Sequence, residues 1–456
     1  MSVPSYDRTA LTPSVVHLSV GSFHRSHQAV YFDELARQGH TGWGLTGVGL
    51  RRREMRDALV PQDCLYTVVE RGPGGDRARV VGVIGRYLFA PDAPSAVVGA
   101  LADPRTRLVT LTVTGAAYDV RAPDVLEDLA HPGRPRSALG FLVAGLDRRR
   151  RGALGPLTIL SCDNMPASGD VARDAITAFA RLRDEGLAQW IEEHVTFPSS
   201  MVDRITPRTT DADRERLARE LGVEDRWPVM TEPYADWVIE DDFAAGRPPL
   251  EEAGVRCVAD VRPYALIKTR LLNATHCALG HLGVLAGLRA TDEAMADPLF
   301  AEYVARLTAE EIAPLLPRVP GLDLVAYRRS ALERLSNPCV VDQLERLCRG
   351  GSLKLPRHVL PSIAARRAAG APHALLTLAV AGFCAQVRGP HALDDPAADR
   401  LRALAPDVRA LVAELGPVGA DPAFAREVEQ VVAHIERDGV RAALAAALGA
   451  AEPMAA

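Results

Sequence analysis

Between Lys268 and His276 the chain reads Lys268-Thr-Arg-Leu-Leu-Asn273-Ala-Thr-His276, an amine, an amide and an imidazole set in an otherwise apolar run. At about 100° per residue, Asn273 lies about 140° and His276 about 80° round a helix from Lys268, so the spacing predicts one shared face. Leu266, Ile267, Leu271, Leu272, Ala274, Cys277, Ala278 and Leu279 would bury such a helix. Burial disfavours an ammonium ion and brings a lysine toward the range of a general base. The same letters also fit a structural helix whose lysine snorkels and whose imidazole is satisfied locally.

A second group of residues lies near the start. Ser19-Val-Gly21-Ser22-Phe23-His24-Arg25 follows the apolar run Val15 to Val20, where a dinucleotide-binding fold has its glycine-rich turn. Gly21 would let the backbone approach a pyrophosphate, although Ser19 stands where the tight turn usually has its first glycine. A plain strand-to-helix turn fits as well. After the next strand, where an acidic residue usually holds the ribose of NAD, stand Arg51, Arg52 and Arg53. They would pair with the 2′-phosphate of NADP or form a solvated surface. Asp163-Asn164 ends a strand at the carboxyl edge of the sheet, where a buried Asn164 amide would bind an oxyanion or cap the next helix. Asp203-Arg204, between apolar residues, reads as a polar site or as an ion pair stapling a sheet, and Arg148 to Arg151 as a solvated helix end.

These groups need a scaffold. The first strand, the Gly21 turn, a helix from His27 to Gln38 stopped by Gly39, and a strand from Trp43 to Leu50 make a βαβ unit. Leu108 to Thr114 and Leu157 to Cys162 add buried strands, the second followed by a helix from about Gly169 to His194, so the sheet is expected to be mostly parallel. Past Pro263, long periodic segments take over at 264–288, 292–314, 324–347, 358–368, 371–387 and 405–449. The expected fold class is α/β: a Rossmann-like doubly wound dinucleotide-binding domain over residues 1–263 and a mainly α-helical substrate-binding and catalytic domain over 264–456. Arg262-Pro263 interrupts the backbone between them. Past Gly449 the last helix is expected to fray.

Bulk properties exclude several classes. A formal charge of −5, a pI near 6.2 and 48% hydrophobic residues over 456 positions describe an ordinary globular chain with no basis for nucleic-acid binding. Seven cysteines, an odd number without a C-x-x-C pair, argue against a disulfide framework and a zinc–thiolate site. The start lacks the apolar run of a signal peptide, and no stretch approaches about eighteen uninterrupted apolar residues. The expectation is a cytoplasmic monomer or homodimer away from membranes.

Taken in order, Gly21-Ser-Phe-His-Arg-Ser-His-Gln-Ala-Val-Tyr, Ser161-Cys-Asp-Asn-Met-Pro, Asp170-Val-Ala-Arg, Ser200-Met-Val-Asp-Arg-Ile-Thr-Pro, Trp237-Val-Ile-Glu-Asp-Asp-Phe and the Lys268 stretch resemble the mannitol dehydrogenase family of polyol-specific long-chain dehydrogenases. The resemblance implies a metal-independent, nicotinamide-dependent oxidoreductase of a sugar alcohol and its ketose. D-mannitol and D-fructose lead; arabinitol, sorbitol or a hexuronate-type acid are the alternatives. It further implies Lys268 as general base, Asn164 and Asn273 as holders of the reacting oxygen, and His276 as the group orienting substrate hydroxyls. Asp203, Arg346 and Lys354 would contact substrate; Gly21, Ser22, Phe23, Arg25 and Arg51 would contact NAD or NADP.

Three positions depart from the family pattern: Ser19 replaces a glycine, Gly115 a glutamate, and Ala265 a glutamate one turn before Lys268 that would relay protons to water. A nicotinamide-binding sensor without catalysis is the reading favoured by those three alone.

Overall fold

The structure, a computed structural model, describes residues 3–449 and divides into two compact units, one ending at Arg262 and the other opening at Pro263. The first unit is built on a six-stranded sheet ordered β5 (Ile84–Phe89), β2 (Gly44–Gly49), β1 (Pro13–Leu18), β6 (Leu108–Leu111), β7 (Leu157–Ser161), β8 (Val195–Thr196). Every neighbouring pair is parallel. The sequence explains why: Val15, Leu108 and Leu160 enter one core layer while their chain neighbours Val16, Val109 and Ile159 enter the other. Strands apolar at successive positions have no face to give to water and must be covered on both sides. The strand order reverses between β1 and β6, the switch point beyond which open α/β sheets bind ligands.

Two smaller sheets complete this unit: β3 (Tyr66–Glu70) with β4 (Arg77–Val81) and β10 (Val229–Thr231), and β9 (Ser200–Asp203) with β11 (Asp236–Glu240) and β12 (Arg256–Val258). The helix expected from His27 to Gln38 is present as Gln28–Arg37, preceded by a short helix, Ser22–Ser26. Two other helical expectations need correction. The Gly169–His194 helix is two, Ser168–Arg183 and Glu185–His194, because the extended Asp184 turns its carboxylate back to accept the Gly186 and Leu187 N–H groups. The basic end of Ala138–Arg151 is only partly solvated: Arg149 is buried and donates to the carbonyls of Leu101, Asp103, Thr106, Gly155 and Pro156.

The second unit is helical around one apolar core that includes Leu279, Leu282, Phe300, Leu344, Phe383 and Phe424. The expected 324–347 segment is two helices, Leu324–Leu335 and Leu344–Cys348. The short helix lies close against Ala274–Leu285, where a Cβ on Gly280 would come within 3.0 Å of Leu347 and one on Gly283 within 2.6 Å of Leu344. The fraying expected past Gly449 lies outside the described residues. Among those described, no helix is long and apolar enough to cross a membrane.

Candidate active site

In the first unit the backbone leaves β1 through Ser19, at φ 75°, and reaches Gly21 in extended conformation, φ −124° and ψ −169°. The left-handed position therefore falls on the serine and not on Gly21. An L-residue there costs about 1–2 kcal/mol. Ser19 is held by its N–H on the Val48 carbonyl at 2.8 Å and by its own carbonyl, which accepts the Thr112 hydroxyl at 3.0 Å. Ser19→Gly should raise the melting temperature by about 2–4 °C, the shift for about 1 kcal/mol in a unit of this size; calorimetry showing no rise would mean that these two bonds absorb the strain.

A Cβ built on Gly21 would meet nothing nearer than the Ser19 carbonyl at 3.9 Å, so the outer face of the turn is open, as a nearby phosphate requires. Its inner face is braced by imidazoles. His17 on β1 bonds Thr110 at 2.8 Å and Thr112 at 3.0 Å, and His24 stacks on it with ring centroids 3.3 Å apart. Burial pushes His17 down to about 3 and His24 well below its ordinary value, so both are neutral spacers.

Arg25 belongs with this brace. Expected to meet the cofactor, it is instead fully buried, with its guanidinium donating to the Trp227 carbonyl and lying 5.3 Å from the centre of the Tyr66 ring. Burial lowers its pKa to about 10. Ser22 and Phe23 sit half-buried beside Gly21, and Phe23 stacks on His27 at 4.9 Å. Past β2, Arg51 donates to Asp124 at 3.1 Å and Arg53 grips Asp92 at 2.9 and 2.6 Å. Two of the three arginines expected to clamp a 2′-phosphate, Arg51 and Arg53, already hold carboxylates.

The Asp163-Asn164 pair divides its two residues between inside and outside. Asp163 is buried and accepts the Thr114 N–H at 2.7 Å and the Tyr118 hydroxyl at 2.8 Å; burial raises its pKa against the pull of those bonds. Asn164 is exposed, in contrast to the buried amide predicted, and the N-cap position of Ser168–Arg183 is taken by Ala167 in left-handed conformation. Asp203, buried at the end of β9, lies across from Asp236 on β11, which Arg256 holds at 2.6 Å. The ion pair of this stretch runs from Arg204 to Glu70 at 2.7 Å.

In the second unit, Lys268 ends the helix Arg262–Lys268, and Ala274 begins the next α-helical stretch; Thr269–Asn273 between them is π-helical, with the Ala274 N–H on the Thr269 carbonyl. That wider turn changes the expected angles. A π-turn places residues five apart in the relation that residues four apart hold on an α-helix. Asn273 then lies about 40° from Lys268 in place of about 140°, and His276 about 20° to the other side. The three side chains form a narrow stripe, Lys268 buried and the other two half-buried.

Arg346 and Lys354 join this neighbourhood. Arg346 is paired to the buried Asp342, with Nε on Oδ1 at 2.7 Å, and the Lys354 ammonium donates to the Leu347 carbonyl at 3.1 Å. Burial lowers the Lys354 pKa; the Cys277 thiol opposes this and Arg346 adds to it. One residue the sequence reading passed over belongs here too. His358, one helical turn past Lys354, is pushed down to about 4 by burial and then by the charges of Lys354, Lys268 and Arg357. Its signal was the four-residue spacing from Lys354 in Lys354-Leu-Pro-Arg-His358. A cavity of about 820 Å³ elsewhere in this unit, lined by Arg367, His373, Glu427 and His434 among others, contains none of these residues. Among the described residues no three His, Cys, Asp or Glu side chains are grouped to hold a metal ion.

Residues 13–252 match the family model of the mannitol dehydrogenase Rossmann domain, and residues 260–439 that of the mannitol dehydrogenase C-terminal domain. The chain is 43% identical over 471 aligned residues to a mannitol 2-dehydrogenase of Phaeosphaeria nodorum, covering 98% of this chain and 83% of that protein. Among solved structures, the Pseudomonas fluorescens mannitol 2-dehydrogenase ternary complex with NAD and D-mannitol is similar at a TM-score of 0.90 and 38% identity, over 99% of this chain and 97% of that one. A D-sorbitol dehydrogenase in substrate-free form is similar at 0.89 and 32%, over 97% of each.

Proposed function

Because the chain belongs to the mannitol dehydrogenase family and is an oxidoreductase acting on CH–OH groups, we propose that it interconverts D-mannitol and D-fructose with NAD, using Lys268 as general base and no metal. The observation that carries this reading is the likeness along 99% of the chain to a mannitol 2-dehydrogenase in complex with NAD and D-mannitol.

NAD, when bound, supplies the hydride acceptor, and the open face of Gly21 leaves room for its phosphates. Lys268 takes the hydroxyl proton as the carbon is oxidised. Asn273, on the same narrow stripe, donates to the reacting oxygen, and a donor aimed where charge develops lowers the barrier more than it tightens binding. Asn164 is assigned the same role as Asn273, His276 orients neighbouring hydroxyls, and Asp203, Arg346 and Lys354 are assigned further substrate contacts. The Arg346–Asp342 pair favours a neutral polyol over a hexuronate-type acid, since a guanidinium that already carries a carboxylate has less to offer a second one. Asp92 and Asp124 favour NAD over NADP in the same way, by occupying Arg53 and Arg51. D-sorbitol is the second substrate candidate, on the likeness to D-sorbitol dehydrogenase.

The test is a panel of D-mannitol, D-sorbitol, D-arabinitol and a hexuronate-type acid, each with NAD and NADP, with and without EDTA. D-mannitol with NAD should give the highest kcat/KM, and the chelator should not change it. No turnover with any polyol or ketose would sink the enzyme reading; loss of activity in EDTA would sink its metal-free part. A preference for NADP that disappears when Arg51 to Arg53 are neutralised would restore the phosphate clamp.

A further inference from the structure

Two loops at the carboxyl ends of adjacent strands are joined by one buried carboxylate. β6, on one side of the point where the strand order reverses, runs out through Thr112 and Val113 into Thr114, and β7 beside it runs out through Cys162 into Asp163 and Asn164. Thr114 stands at φ 73° and ψ 156°, a region otherwise taken almost only by glycine. The neighbouring Gly115, which could adopt that conformation freely, is not at positive φ. A threonine persists there only where its surroundings over-determine it, and the holder is Asp163. Its Oδ1 accepts the Thr114 N–H at 2.7 Å and its Oδ2 accepts the Tyr118 hydroxyl at 2.8 Å, with the Ser161 hydroxyl 2.9 Å from that of Tyr118. Asp163, Tyr118 and Ser161 are buried, while Thr114 and Asn164 are exposed. The carboxylate thus ties together two open positions, one on each loop, at the edge where an open α/β sheet meets its ligand.

From this arrangement we propose that Asp163 is a positioning residue for hydride transfer: it locks the strained Thr114 loop against the loop of Asn164, so that the surface offered to the nicotinamide cofactor and the amide offered to the reacting oxygen keep one separation. This role rests on the reading of Asn164 as a holder of that oxygen in a nicotinamide-dependent dehydrogenase. Asp163, being buried, acts through its neighbours. Without Oδ1 the Thr114 N–H loses its acceptor, and the loop relaxes toward a conformation that threonine prefers, carrying the cofactor surface away from Asn164. Hydride transfer depends steeply on such placement, since a shift of about 1 Å can cost about 10²-fold in rate.

The test compares full-length Asp163→Ala, Asp163→Asn, Thr114→Gly and the double variant carrying Asp163→Ala with Thr114→Gly. Each is melted without cofactor, titrated with NAD by fluorescence, and assayed with D-mannitol and with D-mannitol deuterated at C2. Asp163→Ala should weaken NAD binding about threefold or more, lower kcat about tenfold, and raise the primary isotope effect as hydride transfer becomes slower than the steps around it. A carboxylate that only kept the fold intact would change the amount of active protein and leave the affinity and the isotope effect alone. Asp163→Asn, whose amide oxygen still accepts the Thr114 N–H, should stay within about threefold of wild type in kcat and NAD affinity. Glycine takes the Thr114 conformation without strain, so the double variant should melt above Asp163→Ala and regain most of its kcat and NAD affinity. Asp163→Ala with a wild-type kcat or isotope effect, Asp163→Asn as impaired as the alanine variant, or a double variant no better than Asp163→Ala would each overturn the role. Asn164→Ala, measured in parallel, separates the two ideas: full activity there would remove the amide from the reaction, while the cofactor-free melts and the NAD titrations still judge the hold of Asp163 on Thr114.

Discussion

Lys268→Ala should lower kcat by about 10²-fold or more while NAD affinity, measured by fluorescence titration, stays nearly unchanged. The expectation combines two observations. The lysine is buried on the stripe that also carries Asn273 and His276, and it lies in a different compact unit from the Gly21 turn. A base acts only as the proton moves, so its loss should appear in kcat and kcat/KM together, with little change in the binding of cofactor. Equal loss of NAD affinity would make Lys268 a structural residue. An arginine in its place should fare no better, since a guanidinium does not deprotonate in proteins.

The second large effect concerns stability. Arg149→Met should destabilise the first unit by about 3 kcal/mol or more, lowering its thermal midpoint by about 6–12 °C. Its guanidinium satisfies five carbonyls, those of Leu101, Asp103, Thr106, Gly155 and Pro156, at 2.9 to 3.3 Å. Methionine fills much of the same space and leaves those oxygens without a donor, and a buried acceptor that loses its partner forfeits most of its solvation. Arg148→Met, at the exposed neighbouring position, is the control and should stay within about 0.5 kcal/mol of wild type. Equal melting of the two variants would show that water replaces the arginine.

The parallel sheet was legible because its strands are short, apolar on both faces and separated by helices. Pro13 to Leu18, Leu108 to Leu111 and Leu157 to Ser161 differ from their expected ranges only at the ends. β9, β11 and β12 carry charged residues, among them Asp203, Asp236, Glu240 and Arg256, and only the long-range pairing with one another makes them strands. Of the candidate residues, Lys268, Asn273 and His276 could be placed together because they share one segment. Arg25 could not be placed correctly: in sequence it is a charge beside a turn, and its burial depends on Trp227 and Tyr66, distant in the chain. The inversion within Asp163-Asn164 has the same origin, since Thr114 and Tyr118 decide which member goes inside.

The π-helical turn between Lys268 and Asn273 can be counted as an α-helix with one residue too many. The surplus is absorbed within Thr269–Asn273, so the helix before and the helix after keep the phase they would have had without it. Length and orientation are thereby uncoupled in this segment. A chain shortened by one residue there would regain regular hydrogen bonding and still point Lys268 and Asn273 the same way, whereas straightening the turn at full length would swing them from about 40° to about 140° apart. A five-residue interval between base and amide, read on a sequence as a mismatch to helical repeat, is then the mark of a helix widened by a single insertion at the place where its polar groups must converge.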